Sequence, residues 1–190
     1  MQGMAVAQRM TTDEFLATYT EETPGRTIQL IAGEVVVNQP ALPHQRALFK
    51  LVYALGAWAQ EEAGRGEVSL PLDVRVDDEN VYAPDLLWYA EERVAGLGDR
   101  GPYPIPELAV EVRSPSTWRY DVGVKRHVYE QRGLRELWLV DTKAQSVLVY
   151  RRSSAAAATF DVSLELGRDD MLSSPLLPGF ALPVAAIFPA

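Results

Sequence analysis

Between Glu107 and Val140 the sequence reads strand, turn, helix, strand, and no other stretch restricts the fold as much. In Glu107–Arg113, Leu108, Val110 and Val112 alternate with Ala109, Glu111 and Arg113. A strand puts the first three on one face and the second three on the other. Ser114-Pro115-Ser116-Thr117 then turns the chain and caps a helix predicted over Tyr120–Arg132, which Gly133 closes. Glu136–Val140 is the second strand. A strand, a crossover helix and a strand form a right-handed unit whose strands run parallel.

The flanking sequence adds elements of both kinds. Thr11-Thr12-Asp13-Glu14 is a capping box and predicts a helix to about Tyr19. Thr27–Ile31 and Glu34–Val37 flank Ala32-Gly33 as a hairpin. Leu48, Leu51, Val52, Leu55, Trp58 and Ala59 recur at helical spacing and predict a helix over His44–Glu62, ended by Gly64 and Gly66. Val68–Val76 and Tyr82–Tyr89 read as two strands around Asp77-Asp78-Glu79-Asn80, and a glycine- and proline-rich loop follows over Gly96–Pro106. Ser146–Tyr150 and Thr159–Leu166 read as a last hairpin around the loop Ala155–Ala158. The tail reads as a short strand or a packed extended segment. Together these predict an α/β (α+β) fold with a sheet of mixed direction.

Composition narrows the function. The chain has 190 residues, which suits one domain over 1–190, and 47% hydrophobic against 23% charged side chains excludes a disordered or fibrous chain. No cysteine is present, which excludes disulfides, thiolate zinc sites and a cysteine nucleophile, and two histidines make a histidine-rich metal site a poor reading. The net charge of −8 argues against wrapping nucleic acid over the whole surface, so a nucleic-acid role needs a local basic patch or a metal ion. From Glu111 to Glu136 there are six basic residues (Arg113, Arg119, Lys125, Arg126, Arg132, Arg135) against four acids, and Arg119 and Arg126 are candidates to meet phosphate, with a solvated helix face an equal alternative. Met1–Met10 lacks the order of a signal peptide, and no apolar run reaches the ~18 residues of a membrane span. A cytoplasmic protein with no membrane partner is expected.

The candidate chemistry lies between Ala83 and Asp141. Glu111 is a carboxylate inside an apolar strand, and burying it unpaired costs several kcal/mol, so a salt bridge or a metal must compensate. Arg113, two residues on, is one partner for a structural ion pair. Asp121, Lys125 and Tyr129 follow at intervals of four on one helix face, from which Lys125 can reach Glu111. The alternative is an exposed Asp121–Lys125 pair worth about 0.3–0.5 kcal/mol. Asp73, Glu34 and His44 are weaker candidates. A charged imidazole at a helix start is disfavoured by the dipole, which leaves His44 a capping or outer contact. His127 reads as surface, and Tyr129 and Trp138 read as core aromatics. Ser114 and Ser116 lack a nucleophile elbow.

Pro84-Asp85 followed by the Glu111-Val112-Arg113 strand is laid out like the PD-(D/E)XK nuclease core. The longer run is more specific. Pro106-Glu107-Leu108-Ala109-Val110-Glu111-Val112-Arg113-Ser114-Pro115-Ser116-Thr117, then Asp121, Lys125 and Tyr129, then Gly133 to Asp141, resembles the Uma-two family of restriction-endonuclease-like proteins, formerly a domain of unknown function. The resemblance extends over nearly the whole chain, from the Thr11 helix and the Ala32-Gly33-Glu34 hairpin to Leu177-Pro178-Gly179-Phe180. It implies a restriction-endonuclease-like mixed central β-sheet flanked by helices. It further implies Asp85, Glu111 and the Val112 carbonyl as ligands of Mg or Mn, DNA as substrate, and a homodimer by analogy. This chain carries Arg113 where the plain nuclease pattern has a lysine. A guanidinium is not a practical base, so the expected catalytic set is Asp85 and Glu111 with Lys125 as the cation and Arg113 as an auxiliary. The alternative is an inactive nucleic-acid-binding or assembly module on the same fold.

Overall fold

The computed structural model describes residues 9–19 and 27–188. The predicted parallel unit is present and lies at the centre of the fold. Strand β7 (Leu108–Val112) pairs in parallel with β8 (Glu136–Asp141), with Glu111 opposite Leu139. They belong to a six-stranded sheet ordered β10-β9-β8-β7-β6-β3, with β3 (Glu67–Ser69), β6 (Leu86–Tyr89), β9 (Ser146–Arg151) and β10 (Val162–Leu166). All its other pairings are antiparallel, so the sheet is mixed as expected.

The alternation in β7 separates two cores. Leu108, Val110 and Val112 pack with Leu51, Leu55 and Trp58 of helix α2 (Leu42–Glu61), and with Phe180, Val184 and Ile187 of the tail. Ala109 faces the opposite way, among Leu87, Tyr89, Leu137, Leu139 and Tyr129. That second face also receives Ile31, Val74, Val76 and Tyr82 from a smaller sheet ordered β2-β1-β5-β4. Its strands are β1 (Thr27–Ile31), β2 (Glu34–Asn38), β4 (Val74–Asp77) and β5 (Asn80–Tyr82).

The hairpin β1–β2 turns through Ala32 (φ 49°) and Gly33 (φ 75°), two left-handed residues that match the strand twist. Helix α1 (Thr12–Thr18) carries the capping box: the Thr11 N–H donates to Glu14 Oε2 at 2.8 Å and the Glu14 N–H to Thr11 Oγ1 at 3.3 Å. The tail forms the short pair β11 (Met171–Leu172) and β12 (Leu182–Pro183), then a single turn of helix at Val184–Ile187.

Three expectations are corrected. The strands expected over Val68–Val76 and Tyr82–Tyr89 are each broken in two, and the pieces join different sheets. Pro71 and Pro84 sit in the breaks, where a missing N–H stops a ladder. A short helix α3 (Glu91–Val94) precedes the loop. The crossover helix begins earlier and is not uniform: α4 (Trp118–Tyr120) and α5 (Arg126–Gln131) flank a wider π-helical turn over Asp121–Lys125.

Candidate functional site

The site forms where β6 begins and β7 ends. These strands run antiparallel with Leu86 opposite Val110; extending that register by one step would set Asp85 opposite Glu111, and by two Pro84 opposite Val112. Directly opposed residues share a face of the sheet. Pro84 has no N–H to offer, and the edge of Val112 loses its strand partner there. The Val112 N–H donates instead to the Asp85 side chain, at 2.7 Å from Oδ2, and the Val112 carbonyl meets no proline donor. An extended residue turns its N–H and C=O to the same neighbour. The Val112 carbonyl therefore opens on the side of Asp85, opposite a proline that cannot donate to it.

The π turn brings the cation in. Lys125 is fully buried, and its Nζ lies 2.5 Å from Glu111 Oε1 and 3.0 Å from Asp121 Oδ1. These are close ion pairs, and neither Nζ nor Asp121 Oδ1 has the alignment of a hydrogen bond. The ammonium also sits 5.3 Å from the centre of the Tyr82 ring. Tyr129 packs edge-on against Tyr82, and its hydroxyl donates to Glu111 Oε1 at 3.2 Å. Behind Asp121, Thr117 Oγ1 donates to Oδ2 at 3.3 Å, and Ser114 Oγ lies 2.7 Å from the Thr117 hydroxyl. Ser114 and Thr117 thus form the expected turn, but the expected cap is not made: Thr117 stands at the helix start without a capping hydrogen bond, its hydroxyl serving Asp121. The exposed Asp121–Lys125 pair weighed from sequence is overturned, because Glu111 draws both residues inside.

His44 approaches from the other side of the sheet. It is 2% exposed, and its Nε2 is 3.1 Å from Asp85 Oδ2. That contact is not aligned as a hydrogen bond, and neither ring nitrogen has one. Of the cap or outer contact expected of His44, the contact with Asp85 is present and a capping hydrogen bond is not. Its signal was a polar residue in register with Ala47, Leu48 and Leu51, the buried side of α2.

Charge is unbalanced in this space. Two buried carboxylates, Glu111 and Asp121, share the Lys125 ammonium, and a third, Asp85, lies against His44. Burial raises the Glu111 carboxyl to about 8; Lys125 pulls against this, and Asp121 and Asp85 add to it. Burial likewise raises Asp121. For Lys125 burial works downward, but Asp121 and Glu111 outweigh it and hold the ammonium above its ordinary range. Tyr129 is raised by burial and then by Glu111, which keeps its hydroxyl a donor. Among the described residues no three of His, Cys, Asp or Glu form a metal-holding group. A cation here would rest on Asp85, Glu111 and a main-chain oxygen, and an all-oxygen donor set of this kind suits a hard divalent cation.

The structure separates Arg113 from this cluster. Its guanidinium pairs with Asp141 Oδ2 at 2.7 Å and lies over Trp118, so it is not the partner of Glu111. Arg119 and Arg126 lie over Tyr120 and Tyr150, at 4.7 and 5.0 Å from the ring centres. His127 and Glu34 are exposed. The Asp73 carbonyl accepts the Tyr103 N–H at 2.8 Å, at the entry to β4.

Residues 12–185 match the sequence profile of Uma2, described as "Putative restriction endonuclease". The chain belongs to the Uma2 family. A crystal structure from Anabaena variabilis, described as a putative nuclease belonging to DUF820, superposes on this Uma2 chain with a TM-score of 0.75. The match covers 94% of this chain and 97% of the other at 18% sequence identity, which shows a shared fold. No curated protein matches the chain. Family membership supports a nuclease-like function at that coarse level, with nucleic acid as the class of substrate. No helix among the described residues is long and apolar enough to cross a membrane.

Proposed function

We propose that this Uma2 protein is a metal-dependent endonuclease that hydrolyses phosphodiester bonds in DNA. The observation that carries this reading is the meeting of Asp85, Glu111 and Lys125 at one strand end, on elements distant in sequence. Among the described residues, hydrogen bonds and ion pairs at the carboxylates use Asp85 Oδ2 and Glu111 Oε1, which leaves Asp85 Oδ1 and Glu111 Oε2 for a ligand. With the Val112 carbonyl they would hold Mg or Mn. The cation supplies Lewis-acid stabilisation of charge on the phosphate.

The chain's own groups set the rest. A lysine held above its ordinary range stays protonated, so Lys125 is a donor that orients the attacking water and not a base. Asp121 and Tyr129 fix its position and that of Glu111. In hydrolysis the water oxygen bonds to phosphorus, the bond to the leaving sugar oxygen breaks, and the proton released by water replaces the one the leaving oxygen takes from solvent. Arg119 and Arg126, each laid on an aromatic ring, are set to meet the phosphate backbone.

A module that binds without turnover is the second reading, and the arginine at position 113 favours it. The test is cleavage of single- and double-stranded DNA with Mg²⁺ or Mn²⁺. Asp85→Ala and Glu111→Ala are expected to lower the rate by at least about a hundredfold, the scale of lost electrostatic stabilisation. Equal cleavage by wild type and variants would refute the assigned site. Mn²⁺ binding that ignores both substitutions would favour the second reading.

A further inference from the structure

Helix α2 presents an outward side that the nuclease reading does not use. Leu42, Phe49 and Tyr53 are 62%, 66% and 72% exposed, and their spacing puts them on one stripe. Arg46 and Lys50 lie along the same stripe. Gln45, Arg46, Phe49 and Lys50 line an open depression of about 370 Å³. No acid occurs on α2 before its last residue, Glu61. In a chain of net charge −8 this is a local inversion of sign, coupled to two rings left in water.

Charge selects the occupant. A second copy set against this stripe by two-fold symmetry would bring four cations together with no acid among them. A polyanion that carries flat rings meets both features, its phosphates at Arg46 and Lys50 and its bases on Phe49 and Tyr53. The opposite side of the same helix holds His44 against Asp85, so the stripe stands about one helix diameter, ~10–12 Å, from the carboxylates.

We propose that the outward stripe of α2 binds a single-stranded nucleic-acid segment flanking the phosphodiester held at Asp85 and Glu111. This rests on the nuclease reading for the place of the segment, and on the stripe alone for its binding. Duplex DNA keeps its bases stacked on one another and offers no free face to Phe49 or Tyr53, so the single strand is preferred.

The experiment is fluorescence anisotropy of a labelled oligonucleotide of about 12 nucleotides with the full chain in EDTA. Its arms are wild type, Phe49→Ala/Tyr53→Ala and Arg46→Gln/Lys50→Gln, with circular dichroism to show that each is folded. Both variants are expected to bind about tenfold or more weakly, and the second to lower the log–log salt slope by about 1.4, or 0.7 for each lost phosphate contact. Unchanged affinity in both folded variants overturns the proposal. So does loss of a dimer in sedimentation with affinity intact, which assigns the stripe to a second copy. Cleavage that depends on Asp85 and Glu111 while stripe variants bind as wild type sinks the stripe alone. Stripe-dependent binding without any cleavage sinks the nuclease reading alone.

Discussion

Lys125 is the residue on which the interior of the site balances. It is wholly buried between Glu111 and Asp121, and removing it leaves two carboxylates without a counter-charge. Lys125→Met keeps the length of the side chain and is expected to cost about 3–5 kcal/mol of stability near neutral pH. The sign of the pH dependence follows from Glu111. Its carboxyl rises from 4.5 to about 8 on folding, so between those values the native state holds more protons than the unfolded chain. Stability therefore falls as pH rises through that window. Without Lys125 both Glu111 and Asp121 are pushed further up, and the fall steepens. Urea unfolding at about pH 5 and about pH 8 should show the deficit shrinking at the acid end. An equal deficit at both would mean that Lys125 acts by packing alone.

Elements explain what was readable beforehand and what was not. The central parallel unit was legible because β7 alternates strictly and Gly133 ends the helix. The broken strands were not, because Pro71 and Pro84 reveal a gap but not that the pieces on each side enter different sheets. The π turn had no local signature: Asp121 and Lys125 lie within it, and Lys125 meets Glu111 of another element, a tertiary contact that the helix sequence alone does not encode. Asp85, Glu111 and Lys125 were legible as a set, whereas the partner of Arg113 was not, since Asp141 reaches it only once β8 pairs beside β7. The turn after α2 offers a test at this scale. Gly66 is left-handed (φ 73°), and a Cβ there would fall 2.1 Å from the Tyr89 carbonyl oxygen. Gly64 is also left-handed (φ 87°), but a Cβ there meets nothing within 4 Å. Gly64→Ala is expected to cost about 1–2 kcal/mol and Gly66→Ala clearly more, as read by chemical denaturation. Equal losses would mean that backbone strain alone governs the turn.

For the whole molecule, net charge first counts against a nucleic-acid enzyme, and the fold changes the meaning of that number. Part of the negative charge is gathered at one strand end, where a divalent cation would reverse the local field. Basic groups stacked on or set beside aromatic rings lie elsewhere, on α2, α4 and α5. A cation that binds only the folded chain stabilises it by about 2.7 kcal/mol at a hundredfold excess over its Kd. For a chain of this size that corresponds to a rise of about 5–10 °C in Tm. Calorimetric scans with Mn²⁺ should show this rise in wild type and not in Asp85→Ala. The rise should also shrink as pH falls below about 8, where a protonated Glu111 competes with the ion. A shift that survives Asp85→Ala would place the ion elsewhere.

The burial of Lys125 between Glu111 and Asp121 bears on how relatives should be read. These three residues hold the interior together whether or not the protein turns anything over. A descendant that had abandoned catalysis would still be selected to keep them, because losing one endangers folding. Folding alone is thus reason enough to keep them, in addition to any part they take in cleavage. Asp85 is the better witness: it stands at the mouth of the cluster, outside the Lys125 ion pairs, and its loss removes a main-chain hydrogen bond and leaves that interior closed.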